Sequence, residues 1–285
     1  MKKKPRAREK RSLSKSRSVF FWGAGLVLLI LTLLSCHQQD PNYSEPMING
    51  YLYRGEYYDY SVEYERYVDV YDPKGLRMVP VVQLNDEKLD AFYYTWTKYG
   101  YGDNDSFAVN FNYELKVTHY FGQAGARVTM PGNFTVLTPP ENYILDLDST
   151  LRIQWTPSAG AEWYWVEVYA DYDYRDTLGG MGDWSVRLDT MLRDTVLVLA
   201  PAKIFPGFIE DVYEGDASVM VWSGSGPAIE PGDRGNVTGC GFGFFNAINE
   251  PREKYFYVGA PILSRRVPDS RTASRQLINR LRARI

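Results

Sequence analysis

Short apolar and aromatic runs, each bounded by turn-forming residues, fill the chain between Pro41 and Leu263 and restrict what it can fold into. The clearest run, Asn112 to His119, alternates strictly between two faces, as a half-buried antiparallel strand does. No long helical periodicity interrupts this pattern before the tail. The sequence therefore predicts an all-β fold. Further strands are expected at Ser61 to Tyr71, Val79 to Leu84, Phe92 to Lys98, Arg127 to Val136 and Tyr255 to Val258.

The stiff, donor-poor segment Thr138-Pro139-Pro140 separates these runs into two blocks. Each block has about 100 residues, which suits one compact β-sandwich. We therefore expect two antiparallel β-sandwich domains, the first over residues 46–137 and the second over residues 142–263. Turns are expected at Asp72-Pro73-Lys74-Gly75 and at Gly122-Gln123-Ala124-Gly125, because these residues favour tight reversals of the chain.

The second block opens with an alternating strand that ends at Trp155, followed by an Ala-x-x-Tyr-x-Val run formed by Ala161, Tyr164 and Val166. This pattern resembles the start of a fibronectin type III or related immunoglobulin-like domain. The resemblance implies immunoglobulin-like sandwiches with a core built around Trp155. It further implies two faces for the following strand, with Tyr164, Val166 and Val168 directed inward and Trp163, Trp165 and Glu167 on the opposite face.

The amino terminus has the build of an export signal: nine Lys/Arg against Glu9 up to Ser18, then an apolar run from Val19 to Leu34. The four residues Leu33-Leu34-Ser35-Cys36 resemble the bacterial lipobox. The resemblance implies that residues 1–35 are a signal peptide and that Cys36 carries a lipid at the head of a tether, residues 36–45. Because the residue after the cysteine is His37 and not Asp, we expect the protein to be anchored in the outer membrane of the cell envelope. The alternative is an uncleaved transmembrane anchor.

Charge is distributed in three blocks. The signal and the tail, residues 264–285 with seven Arg against Asp269, are basic. The region between His37 and Leu263 holds 16 Lys/Arg against 33 Asp/Glu, so nucleic acid is not an expected partner. The pattern of the tail predicts a short basic amphipathic helix that binds an anionic lipid surface, an acidic partner or the acidic body. The alternative is a frayed end.

The sequence predicts no catalytic residue, no metal site and no cofactor. A Ser-His-Asp or Cys-His site would need His119, and no nucleophile elbow or zinc motif accompanies it. The acidic run from Asp171 to Asp176 departs from a calcium loop at Arg175, so a solvated loop is the preferred interpretation. Cys240 is expected to be a small buried residue outside any disulfide.

Aromatic residues are the remaining candidates for a binding role. Trp163 and Trp165 share the outward face of their predicted strand, where flat rings would stack on a sugar or a protein partner. We therefore expect a non-enzymatic, membrane-anchored envelope lipoprotein that acts as a structural or interaction module, with an envelope protein or a glycan as partner. Two alternatives are an envelope glycan hydrolase with a carboxylate-based site and a carbohydrate-binding module without catalysis.

Overall fold

A computed structural model describes residues 45–56, 61–94, 98–101, 106–228 and 234–259. These residues form sheets of ten, five and three strands and one four-residue helix, α1 (Pro201–Ile204), so the predicted all-β, mainly antiparallel fold is confirmed. That helix is far too short to cross a membrane, and the described residues contain no other candidate span. The signal, Cys36 and the tail 264–285 lie outside the described ranges.

The ten-stranded sheet is the centre of the fold. Its strand order is β10-β18-β15-β17-β1-β2-β6-β5. β17 and β18 share one edge of β15, β12 pairs with the opposite edge, and β13 pairs with β12. Two pairs, β1 with β17 and β10 with β18, are parallel. The strands are β1 (Met47–Glu56), β2 (Val62–Tyr71), β5 (Ala91–Tyr94), β6 (Lys98–Tyr101), β10 (Ile144–Leu145), β12 (Trp163–Asp176), β13 (Met181–Leu192), β15 (Ile209–Ser225), β17 (Phe242–Glu250) and β18 (Lys254–Val258).

The two smaller sheets complete two hydrophobic cores. The five-stranded sheet, in the order β16-β8-β7-β3-β4, packs on β1, β2 and β17, and the three-stranded sheet, in the order β14-β11-β9, packs on β12, β15 and β18. Their strands are β3 (Val81–Leu84), β4 (Glu87–Lys88), β7 (Asn112–His119), β8 (Gly122–Thr129), β9 (Val136–Thr138), β11 (Leu151–Trp155), β14 (Val196–Leu199) and β16 (Thr238–Gly239).

The predicted core around Trp155 is confirmed. Trp155 is buried, its ring lies 5.4 Å from that of Tyr164, and Val166 and Val168 belong to the same core. The strand from Asn112 to His119 also has the predicted limits, with Tyr113, Leu115 and Val117 directed into the other core. Both results follow from local alternation, which fixes the face of each side chain.

Several local predictions are wrong. Arg127 to Val136 is not one strand, because β8 ends at Thr129 and β9 begins at Val136, and Phe92 and Lys98 lie on two paired strands, β5 and β6. Gly122 to Gly125 is the start of β8 and not a turn, and the reversal of the chain falls at Tyr120 and Phe121. The glycines are needed for close packing: a Cβ at Gly125 would lie 2.9 Å from the backbone oxygen of Leu115 on β7. The predicted loop from Asp171 to Asp176 is the end of β12, paired on both sides with β13 and β15.

Strands from both predicted domain segments share the ten-stranded sheet. β17, which lies in the second segment, pairs with β1 of the first and contributes Phe245 and Ala247 to the first core. All described residues accordingly belong to one compact unit. The limits 46–137 and 142–263 stay predictions, and the structure adds that the first core needs strands from both segments.

Candidate functional site

Trp163 and Trp165 lie on the predicted face of β12, opposite the Trp155 core, but the prediction that this face is exposed is wrong. Each has only 3% of its surface exposed. They pack in a third cluster with other large side chains of the ten-stranded sheet, among them Trp222 and Met220 of β15. Trp163 fits because residue 224 is a glycine, and its indole nitrogen donates to the carbonyl of Gly226 at 2.9 Å. Neither ring is available to stack on a ligand.

Carboxylates on the same face of the ten-stranded sheet are buried and take part in hydrogen bonds or ion pairs. Glu250 on β17 accepts hydrogen bonds from the Tyr53 hydroxyl at 2.6 Å and from the Trp222 indole nitrogen at 2.7 Å. Glu167 on β12 pairs with Arg187 on β13 at 2.6 Å. Such charge-assisted contacts fix aromatic rings and neighbouring strands in place. They explain how a face with carboxylates can be buried.

Glu253 is the carboxyl group of this face with a perturbed pKa. Burial raises the pKa of Glu253 above its usual value, hydrogen bonds with Ser218 and Tyr255 oppose the rise, and the charge of Glu167 adds to it. Perturbed carboxyls are typical of catalytic sites but also occur in structural networks. Among the described residues, no group of three or more His, Cys, Asp or Glu is arranged to hold a metal ion.

His119 and Cys240 lie close together at the turn between β7 and β8. His119 is half-buried at the end of β7, where its Nδ1 accepts a hydrogen bond from the Phe121 amide at 3.2 Å, and burial lowers the pKa of His119. The Cys240 thiol is exposed, so the expectation that it is buried is wrong. A Cβ placed on Gly122 would lie 2.6 Å from the Cys240 sulfur, so the absence of a side chain at residue 122 leaves room for the thiol.

Exposed apolar residues at the end of the β12–β13 hairpin are a candidate interaction site that the sequence analysis missed. Leu178 has 94% of its surface exposed, and Met181 and Phe208 are exposed beside it. We call these three residues the hairpin tip. A leucine in the polar run before Gly179 and Gly180 was the available signal, since a turn of this kind leaves a large apolar side chain uncovered.

The turn that carries the hairpin tip is fixed by its own hydrogen bonds. One carboxylate oxygen of Asp176 accepts from the amides of Leu178 and Gly180, both at 2.8 Å, and Gly179 supplies a backbone φ of 84°. The Thr177 amide donates to the carbonyl of Phe208 at 2.9 Å and joins the turn to the segment before β15. Leu178 is therefore presented on an ordered turn, which reduces the entropy that a partner must remove on binding.

Aromatic rings of β12 and β13 pack against the hairpin tip on the side of the core. Phe208 packs edge-on against Tyr174 of β12 and Trp184 of β13, with ring centroids 5.6 Å apart in each pair. These rings connect the tip to the core around Trp155. The apolar surface is therefore continuous from the exposed turn to the interior of the protein.

Acidic residues line one face of the strands that lead to the hairpin tip, the face opposite Tyr174 and Trp184. The cross-strand partners Asp183, Asp173 and Glu214 put three carboxylates side by side on β13, β12 and β15. The cation in this region, Arg175, lies within 3.5 Å of two further carboxylates, those of Glu210 and Asp211. Unlike the buried carboxylates beside Trp222, these groups lie at or near the surface. An apolar tip with acidic residues along one side, called the acidic rim below, fits a partner whose apolar contact is bordered by basic residues.

An open groove of about 400 Å³ lies on the outer surface of the five-stranded sheet. Its walls carry hydrogen-bonding groups, and Arg127 and Glu114 pair across it at 3.2 Å. The ring of Phe111 is half exposed just before β7 and rests on Tyr113, one of the lining residues. The groove thus brings an exposed aromatic ring next to polar side chains, an arrangement that glycan binding requires.

Comparisons with known proteins identify no family for the chain. No family model and no curated protein matches it. Among solved structures, titin domains z1z2 in complex with telethonin align with 13% identity and a TM-score of 0.18, covering 73% of this chain and 95% of that one. Fibronectin(III)-like modules of Clostridium thermocellum CbhA align with 11% identity and a TM-score of 0.23, covering 78% and 100%. Scores this low do not identify a fold or a function.

Proposed function

We propose that the protein is a lipid-anchored envelope protein that acts as a non-enzymatic interaction module, with its partner bound at the hairpin tip. Cys36 attaches the chain to the membrane, and no cofactor takes part. The observation that carries the proposal is the hairpin tip itself, which combines a nearly fully exposed leucine, an ordered turn and an acidic rim. Contiguous apolar patches exposed on the surface of soluble proteins commonly mark interaction sites.

The strand registers support this arrangement. Met47, where β1 begins, pairs with Phe242, the first residue of β17. Asn249 near the end of β17 pairs with Ser223 of β15, and β15 extends from there to Ile209 beside the hairpin tip. The tip thus lies about 20 residue positions beyond Met47, roughly 65 Å along straight strands. The tip therefore lies far from Met47, the end of the described body that the tether would enter.

The first experiment tests the anchor. The protein is expressed in a Gram-negative host, and intact mass and membrane fractionation are compared with those of Cys36→Ala. We expect a mature chain that begins at Cys36 with added acyl mass, and loss of both acylation and stable membrane association in the variant. An uncleaved, unacylated product would contradict the proposal and leave residues 19–34 as a transmembrane anchor.

A second experiment tests the hairpin tip. A photo-crosslinking amino acid replaces Leu178 in the full chain, and in a matched control it replaces Val198, an exposed residue of β14. We expect a discrete crosslinked species in the native envelope from position 178 and none from position 198. Met181→Asp should abolish it, because a charge at the apolar centre is costly to desolvate. The same crosslinks from both positions would refute a partner site at the tip.

A further inference from the structure

A second group of exposed apolar residues lies at the other end of the protein, beside the start of β1. Two of them, Tyr120 and Phe121, form the turn of the β7–β8 hairpin, and Tyr120 has 93% of its surface exposed. Of the others, Leu76 and Val79 precede β3 in the chain and Val81 is its first residue. We call the group the anchor-end patch, and its members are Leu76, Val79, Val81, Tyr120 and Phe121.

Contacts on one side of β1 place the β7–β8 turn next to the point where the tether enters. The Phe242 amide donates to the carbonyl of Pro46, the residue before β1, at 3.1 Å. Two residues earlier, the Cys240 amide donates to the carbonyl of Gln123 at 2.9 Å. Gln123 is the second residue of β8, directly after the turn that carries Tyr120 and Phe121. The described chain therefore begins beside this turn.

Contacts on the other side of β1 bring the remaining members to the same end. Met47 pairs with Tyr71, the last residue of β2, and the turn that follows it carries Leu76. That turn is ordered by Asp72, which accepts hydrogen bonds from the amides of Lys74 and Leu76, both at 2.8 Å. Lys74 is exposed on it, a cation suited to anionic headgroups.

The edge of β3 completes the anchor-end patch. Val81 pairs with Thr118, one residue before the end of β7, so Val79 and Val81 lie beside the β7–β8 turn. Both valines are exposed although they flank a buried proline and a buried valine, Pro80 and Val82. The patch thus combines aliphatic side chains, a tyrosine and a phenylalanine on turns and strand ends around one point, the entry of the tether.

We propose that the anchor-end patch rests in the interface of the bilayer that holds the Cys36 lipid. This inference depends on the proposed lipid anchor. The tether of ten residues, 36–45, reaches at most about 35 Å when fully extended, so the patch faces the membrane at close range. Tyrosine and phenylalanine enter the headgroup region readily, since their rings are apolar and the tyrosine hydroxyl stays hydrated. The patch then holds the body upright, with the hairpin tip directed away from the bilayer.

The test compares environment-sensitive labels at the two ends of the protein. An NBD fluorophore is attached to Tyr120→Cys or, as a matched control, to Leu178→Cys, since both native side chains are more than nine-tenths exposed. Both variants carry Cys240→Ser, which removes the exposed thiol. Each full chain is acylated in the host and reconstituted into phosphatidylethanolamine and phosphatidylglycerol vesicles, with and without spin-labelled lipids.

We expect a blue-shifted emission from the label at position 120 and quenching by spin-labelled lipid several-fold stronger than at position 178. A third label at Val79→Cys should behave like the one at position 120, so the result does not depend on one substitution. Equal, water-like signals from positions 120, 79 and 178 in acylated protein that floats with the vesicles would overturn the membrane contact and leave the anchor standing. An unacylated mass would instead overturn the proposed anchor, and the inference with it.

Discussion

Replacing Glu250 by leucine should strongly destabilise the protein. Glu250 is buried and accepts hydrogen bonds from the Tyr53 hydroxyl and the Trp222 indole nitrogen, both also buried. A leucine fills the space but accepts no hydrogen bond, so both donors lose this acceptor. A buried donor left without an acceptor costs about 1–3 kcal/mol, and two such donors give about 4 kcal/mol in the free energy of unfolding.

The assay is guanidinium chloride unfolding followed by tryptophan fluorescence, with the slope of the free energy against denaturant checked for each variant. Glu210→Leu is the matched control, because Glu210 pairs with Arg175 near the surface, and its loss should cost less than about 1 kcal/mol. Tyr53→Phe should cost less in the Glu250→Leu background than in the native chain, since the acceptor is already missing. The reasoning is refuted if Glu250→Leu costs no more than Glu210→Leu.

Three further predictions follow from burial. Folding should take up a proton at Glu253 above pH 4.5, because burial raises the pKa of this carboxyl group in the folded state. The free energy of unfolding should therefore fall as pH rises. Glu253→Gln should reduce this pH dependence in denaturation measured from pH 4 to 8. Gly243→Ala should cost on the order of 3 kcal/mol, since its Cβ would lie 2.0 Å from the Ile48 carbonyl oxygen at a φ of 129°, whereas Gly207→Ala, in open space, should be neutral. Trp163→Ala should lower the unfolding free energy by about 3–5 kcal/mol, and loss of glycan retention without destabilisation would contradict its burial.

The fibronectin type III resemblance implied the two faces of β12, and alternation along the strand is the physical reason for them. The division of β12 between the Trp155 core and an opposite face containing Trp163 and Trp165 is right, because side chains of a strand alternate whatever surrounds it. Whether the opposite face is open depends on residues far away in the sequence. Glu250, which fixes Tyr53 and Trp222 beside these tryptophans, lies almost 200 residues from Tyr53, and no spacing rule connects the two.

The same limit explains why β12 was predicted to end early. Asp171 to Asp176 is too polar to read as a strand, yet β13 and β15 run beside it to its last residues and supply backbone partners throughout. Backbone pairing can override side-chain preference. The hairpin tip was missed as a consequence, since Gly179 and Gly180 after Leu178 were not recognised as the turn between two strands.

The parallel pairing of β1 with β17 has a consequence for the order in which the protein can fold. Met47 is among the first residues of the described body to be synthesised, and its partner Phe242 follows almost 200 residues later. Contacts that close so large a loop form slowly. The first core therefore stays open until nearly the whole described body has been synthesised. A chain that stops before residue 242 should lose the compactness of its earliest strands as well as its latest, so loss of the carboxyl-terminal strands would also disorder the amino-terminal ones.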